Sequence, residues 1–415
     1  MDEESGERNE LLMPSSQVEE VRNLIVFLRD RTGIHFNLQD AAVTQCGGLL
    51  QLIIQEQNLP EEAGNIFCLW LISPILELRL KKHHNPFQVV QKWDELCALY
   101  SDAAPEEIHQ NEPVLMMQRD VFFSKEQEQQ IQNEQILSLL YHEAVNKVIE
   151  GRYILHEEDY HYLAGIQAVI QLGIFDSTRS TLAGYRANLV KFYPDHMYVQ
   201  SRFRFLKHSL NQMCEESFME AHRRRSEEFG HNTTKDLFQK YLAVLWTYPF
   251  YGGAFFFGHV EAKMTGIRRF ILPKSNLRVN LCITTEGVSV FDAEKDEFLL
   301  YVPYAQLSWM YQDLVWDGDN DPPPTLMLQF ICDETHEQSQ NEPVTKLLQI
   351  YSRQAKLMDA LIKTCVDRKL EIQQSPGVDF VDGGLTEISE KKMLNKLSRL
   401  SLETYTQDGD QLDTV

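Results

Sequence analysis

The sequence predicts an α+β protein of three lobes with disordered tails. Three observations carry that prediction: strand-like runs fill residues 21–123, helical periodicity takes over from 124 to 250, and short strands return over 251–370 before a closing helix. At 415 residues the chain has room for two to four domains of roughly 100–200 residues each. Hydrophobic residues make up 43% and charged residues 24%, close to globular averages, so most of the chain is expected to fold.

Residues 1–20 are polar and mostly acidic and predict a disordered tail. NLIVFL and IHFNL flank Arg29-Asp30-Arg31-Thr32-Gly33, the grammar of a β-hairpin. Residues 40–57 predict a helix stopped by Asn58-Leu59-Pro60. FCLWLIS and ILELRL read as strands with Pro74 at their junction, where a missing N–H does least harm. Val89, Trp93 and Leu96 share a helical face, and PVLMMQRDVFF closes the first lobe.

In the second lobe, Ile136, Leu139, Leu140, Ala144 and Val148 mark one helix and Leu163, Ile166, Val169 and Ile170 the next. Three further segments bring the expected bundle to about five helices, the last with Asn232 as a candidate N-cap. In the third lobe, NLRVNLCIT and VSVFDA predict a hairpin. EFLLYV, AQLSWMYQ, TLMLQFI and KLLQIYS continue as strands, and RQAKLMDALIKTCVDRK is the closing helix, with Leu357, Ala360, Leu361, Thr364 and Cys365 on one face. Residues 371–415 predict a disordered polar tail with one short basic helix candidate at 391–400.

Bulk properties exclude several functions. A formal net charge of −22 disfavours nucleic-acid binding, which needs a basic face, and weakens any purely electrostatic hold on anionic membranes. The seven cysteines are scattered without a CxxC pair, which predicts free thiols in a reducing, cytoplasmic compartment. MDEESGERNE lacks the pattern of a signal peptide, and FCLWLISPILEL is shorter than the roughly 20 residues a spanning helix needs. Catalytic and metal motifs are missing too. HEEDYH spaces its histidines five apart instead of the four of HExxH, His83-His84 reads as a solvated loop, and Gly252-Gly253 reads as a turn needing positive φ. The chain is expected to be no enzyme and to carry neither metal nor cofactor.

Three stretches resemble the FERM family. DLFQKYLAVLWTYPFYGGAFFFGHVE resembles the passage from the family's second lobe into its third, PFQVVQKWDEL with PVLMMQRDVFF the end of its first lobe, and NEQILSLLYHEAVNKVIEGRY the opening of its second. The resemblance covers about residues 21–370. It implies a ubiquitin-like β-grasp over 21–123, a helical lobe like acyl-CoA-binding protein over 124–250, and a PH/PTB-like β-sandwich with a C-terminal helix over 251–370. It also implies a non-catalytic scaffold for the cytoplasmic tail of a transmembrane protein, regulating that protein's trafficking, stability or signalling at the cytosolic face of the plasma membrane. Residues 369–415 are too few for the charged helix and actin-binding end of the family's cytoskeletal linkers.

The resemblance further implies a peptide groove along the fifth strand of the third lobe. Counting strands places Leu307, Ser308, Trp309, Met310 and Tyr311 there, with Lys356, Leu357, Ala360 and Lys363 on the helix side. Strand alternation predicts that Trp309 and Tyr311 point one way and Ser308 and Met310 the other. A phosphoinositide-binding membrane linker is the alternative, with headgroups held in a basic cleft by Lys81, Lys82, Arg268, Arg269 and Lys274. Arg223-Arg224-Arg225 is a further basic cluster with a solvated helix face as its simpler explanation. Ser398 and Ser401 lie in a basic context open to phosphorylation. Asp413-Thr414-Val415 ends in the apolar carboxyl residue that a PDZ groove captures, with Asp413 where the commoner motif has Ser or Thr.

Overall fold

A computed structural model describes residues 22–38, 41, 43–198, 204–263, 276–313, 324–332, 344–374, 395–405 and 411–412. β1 (Arg22–Phe27) and β2 (Gly33–Leu38) form the first hairpin, with Arg31 at φ 73° in its turn. β3 (Phe67–Ile72), β4 (Glu77–Arg79) and β5 (Val114–Arg119) complete a sheet of order β2-β1-β5-β3-β4, in which only the β1–β5 pair is parallel. α1 (Cys46–Glu56) buries Leu49, Leu50, Ile53 and Ile54 at helical spacing, in one apolar cluster with Val26, Leu69, Leu71 and Leu115 of the strands. The Ser73 hydroxyl accepts the Leu76 N–H at 3.1 Å, so Pro74 sits in a turn that needs no donor from it. Short helices α2 (Ala63–Ile66), α3 (Pro86–Gln91), α4 (Trp93–Tyr100) and α5 (Pro105–His109) lie between the strands.

The second lobe opens on α6 (Lys125–Glu128) and packs α7 (Glu134–Ile149), α8 (Glu157–Leu172), α9 (Leu182–Asn188), α10 (Arg204–Phe229) and α11 (Thr234–Trp246). Ile136, Leu139, Leu140, Ala144 and Val148 are all buried, as their spacing predicts. Two expectations are corrected. HMYVQSRFRFLKHSL and EESFMEAHRRRSEEFG do not make separate helices, because Arg204–Phe229 runs continuously through both. The N-cap of α11 is Thr233, not Asn232: its hydroxyl accepts the Asp236 N–H at 3.2 Å while the Asp236 carboxylate accepts the Thr233 N–H at 3.0 Å, a reciprocal box Asn232 is one residue too early to make.

β6 (Ala254–Glu261), β7 (Asn276–Ile283), β8 (Gly287–Asp292) and β9 (Glu297–Pro303) form one antiparallel half of the third lobe. β10 (Leu307–Gln312), β11 (Thr325–Cys332) and β12 (Val344–Tyr351) form the other. Among the described residues the halves pair through Tyr351 of β12 and His259 of β6. α12 (Ala355–Gln374) closes the lobe with Ala355, Met358, Ile362 and Cys365 buried. Its inward face is thus rotated from the expected one: Leu357 and Leu361 pack at the margin, and Ala360 is exposed.

A further correction concerns the tail, expected to be disordered over 371–415. Residues 395–405 form a strap across the third lobe. Leu397, Leu400 and Leu402 are buried in its core, and β13 (Glu403–Tyr405) pairs with Thr345–Leu347 of β12, then with β14 (Gln411–Leu412). Three leucines supply the apolar area that the polar average of the tail conceals. In the 391–400 helix candidate, residues 391–394 lie outside the described residues, and the remainder forms a 3-10 turn at Leu397–Arg399.

A buried ion cluster ties the three lobes. Arg119, at the end of β5, donates from Nε to Glu128 Oε2 at 2.5 Å, from Nη2 to the Phe123 carbonyl at 2.6 Å and from Nη1 to the Gly252 carbonyl at 3.4 Å. Its backbone N–H donates to Glu143 at 2.7 Å. Glu128 in turn accepts from Trp246 Nε1 at 2.8 Å and the Tyr251 hydroxyl at 2.5 Å. Burial alone disfavours the Arg119 charge, and the Glu128 carboxylate more than offsets it, so its pKa is raised. Gly252 lies at φ 74°, and a Cβ there would come within 2.4 Å of the Arg119 guanidinium, so both conformation and space require glycine.

Candidate functional site

β10 ends the sheet order: it pairs with β11 on one side, and among the described residues no strand pairs with the other. A strand edge of this kind presents unpaired N–H and C=O groups to an incoming chain. Exposure alternates along it, with Trp309 and Tyr311 half-buried and Ser308 and Met310 exposed, the latter at 56%. Trp309 and Tyr311 face the core under α12 together with Leu307, Leu357 and Leu361. Lys356, Ala360 and Lys363 lie at i, i+4 and i+7 on the exposed face of α12. Trp309 and Tyr311 thus pack toward the core from β10, the outer strand edge is open among the described residues, and α12 carries two lysines on its exposed face.

Two contributors were not foreseen. Asp359 accepts a hydrogen bond from Trp309 Nε1 at 3.0 Å, clasping the edge strand to the helix and fixing the indole plane. Spacing could not reveal it, because strand and helix are 50 residues apart. Tyr100, from α4 of the first lobe, lies near enough to influence the Tyr311 phenol. Burial first, then Asp313, Tyr100 and Asp359, push the Tyr311 phenol up to about 12. The first lobe is held there by Arg353, whose Nε donates to Asp102 at 3.0 Å and whose Nη1 donates to the Ala98 carbonyl at 3.0 Å.

The two described residues of the expected basic cleft, Lys81 and Lys82, stand apart from the space between the first and third lobes. A cleft of about 460 Å³ does open between first and third lobes, with Arg278, His259 and Arg353 on its walls, but Asp102, Glu107 and Glu294 share them. Lys81 and Lys82 are not among its lining residues. They sit in the loop after β4, where Lys82 Nζ donates to the Gly64 carbonyl at 3.4 Å. Arg268, Arg269 and Lys274 lie outside the described residues, as do Asp413, Thr414 and Val415. The arginines of α10 are neutralised locally: Arg223 pairs with Glu220 and Glu227 at 2.7 and 2.6 Å, Arg224 with Glu220 at 2.6 Å, and Arg225 with Glu228 at 2.8 Å. Hydrogen bonds from Arg223 and Arg224 hold the Glu220 carboxyl down at about 2. Among the described residues, no group of three His, Cys, Asp or Glu side chains is placed to hold a metal ion, and no helix is long and apolar enough to cross a membrane.

Comparison with known proteins agrees with this architecture. The FERM central domain family matches residues 126–256, and the family described as the KRIT1/FRMD8, FERM domain C-lobe matches residues 277–361. FERM domain-containing protein 8 of Xenopus tropicalis is 31% identical, over 98% of this chain and 91% of that protein. The human FERM domain-containing protein 8 is 29% identical, over 99% and 90% respectively. The MyTH4-FERM domain of human Myosin 7b, solved with the harmonin-a PDZ3 domain, has the same fold at a TM-score of 0.52 and 15% identity, covering 84% of this chain and 60% of that one. The FERM and C-terminal domain complex of Drosophila Merlin aligns at 0.51 and 13% identity, covering 85% and 97%. With a relative above 30% identity along nearly its whole length and the lobes in the family's order, the chain belongs to the FERM domain family.

Proposed function

We propose that this protein is a non-catalytic scaffold that binds the cytoplasmic tail of a transmembrane protein along β10, working at the cytosolic face of the plasma membrane. FERM domains are typically protein-binding adaptors linked to membrane proteins, and the step taken here is to the strand edge and the kind of ligand. One observation carries it. The chain covers the other edges of its third-lobe sheet with its own strap, and among the described residues nothing pairs with the outer side of β10, beside a helix carrying Lys356 and Lys363. Natural sheets shield edges they do not use. An added strand would gain main-chain hydrogen bonds from β10, while Met310 and the α12 lysines would select an apolar, acidic segment.

The test is a display library of cytoplasmic-tail peptides selected against the full chain, with bound peptides mapped by amide exchange. Protection at 307–312 that disappears in Met310→Asp, an exposed position that spares the fold, supports the reading. Tail peptides that bind equally well to that variant and leave 307–312 unprotected would overturn it. Phosphoinositide binding is the weaker reading, because carboxylates stand among the cations of the cleft. Sedimentation of the chain with phosphoinositide vesicles in the absence of any protein ligand would reverse that order.

A further inference from the structure

The strap is more than a loose end lying on the surface. Its Lys396 N–H donates to the Leu299 carbonyl at 2.7 Å, and the Asn395 side chain accepts the Tyr301 N–H at 3.1 Å, so it occupies the outer edge of β9. Ser401 N–H donates to the Glu261 carbonyl at 3.0 Å and Lys263 N–H to the Arg399 carbonyl at 3.3 Å, extending β6. Glu403, Thr404 and Tyr405 then stand opposite Leu347, Lys346 and Thr345 of β12, the part of that strand that β6 does not reach. Side chains recognise as well as backbone. Arg399 bridges Asp292 and Glu297, and Lys396 also pairs with Glu297. Asp292 is fully buried beneath the strap, and its Oδ1 accepts the Glu294 and Lys295 N–H groups of its own turn at 2.9 and 3.0 Å, leaving Oδ2 for Arg399. Leu397, Leu400 and Leu402 fill the apolar floor.

We infer that this face is a second peptide-binding site of the third lobe, distinct from the β10 groove. Its ligand class is a short segment reading Lys-Leu-x-Arg-Leu-x-Leu and continuing as a strand, and residues 395–405 fill it in cis. The carboxylate pair selects the two cations, three pockets select leucines, and β12 selects an extended backbone. These are the components of strand-addition recognition. A segment tethered to the same chain is present at an effective concentration of order mM, so a partner peptide of this class competes only when it binds tightly or when the strap is weakened.

The experiment uses the full chain and a fluorescent peptide of residues 391–405. Wild type, Lys396→Glu/Arg399→Glu and Leu400→Asp are compared by fluorescence anisotropy. The charge-reversal pair involves no fully buried position and keeps the test valid if Leu400→Asp disturbs the fold. The expected result is peptide binding about tenfold tighter or more to the strap variants than to wild type, and none by a peptide with both cations changed to Glu. Folded variants that bind the peptide no better than wild type, or binding indifferent to the charge reversal, would overturn the inference.

Discussion

β10 and β12 belong to the same three-stranded half-sheet, yet they treat their outer edges in opposite ways. β12 is paired at Tyr351 by β6 and at Thr345–Leu347 by β13, whereas β10 has no strand on its outer side among the described residues. Each edge is guarded by a different chemistry. The strap that covers β12 is held by two cations on the carboxylates of β8 and β9 and by three buried leucines; at β10 the Trp309 indole N–H is clasped by the Asp359 carboxylate. The lesson is that an edge becomes a recognition site through its side chains. Backbone valence alone would make both edges equally adhesive.

The largest expected effect is at the covered edge. Leu400 is 1% exposed, and aspartate in its place would have to bury a carboxylate or release the strap. Release is the cheaper course, so amide exchange over 395–405 is expected to accelerate about a hundredfold, or roughly 3 kcal/mol, with 307–312 unaffected. Trp309→Ala should act on the other edge alone. It removes a half-buried indole and should cost about 2 kcal/mol in denaturant unfolding, with strap exchange unchanged. Arg399→Ala, which leaves the buried Asp292 without its cation, should loosen the strap by about 1–2 kcal/mol by the same exchange measurement.

Acid and base distinguish the edges with opposite sign. Hydrogen bonding from Lys396, with help from the Lys396 and Arg399 charges, holds the Glu297 carboxyl below its ordinary value of 4.5. A depressed carboxyl contributes stability above the unfolded value and loses it as pH falls through the folded one, so the strap should loosen below about pH 4.5. Tyr311 is raised from 10 to about 12, chiefly by burial, so its contribution is complete below pH 10 and is lost as pH rises toward 12. Exchange at 395–405 in acid and Tyr311 fluorescence or absorbance in base would show the two losses separately. Simultaneous loss at both edges would dissolve the contrast.

The open edge was legible in the sequence and the covered one was not, for a physical reason. β10 follows from counting turn-bounded strands, and its alternation is a local property of Leu307–Gln312. The strap depends on Leu397, Leu400 and Leu402 meeting strands about 50 to 140 residues earlier, and the surrounding Lys, Ser, Glu and Asp hide that apolar spacing in any average. Asp359 escaped notice because charged residues on a helix default to solvent. Arg119 was missed likewise, its partners Glu128, Glu143 and Gly252 lying 9, 24 and 133 residues away. Lys81 and Lys82 were expected in the cleft from the family resemblance alone, and no local sequence signal reports that the loop after β4 carries them away from its lining.

The Arg119 cluster sets how the molecule can be taken apart. A cut between Arg119 and Glu128, at the boundary of the first and second lobes, would strand a guanidinium in one fragment and a carboxylate in the other, at a cost of roughly 3–5 kcal/mol. The first and second lobes are therefore expected to melt together, and a separately expressed third lobe would lose the Arg119 guanidinium from its Gly252 turn.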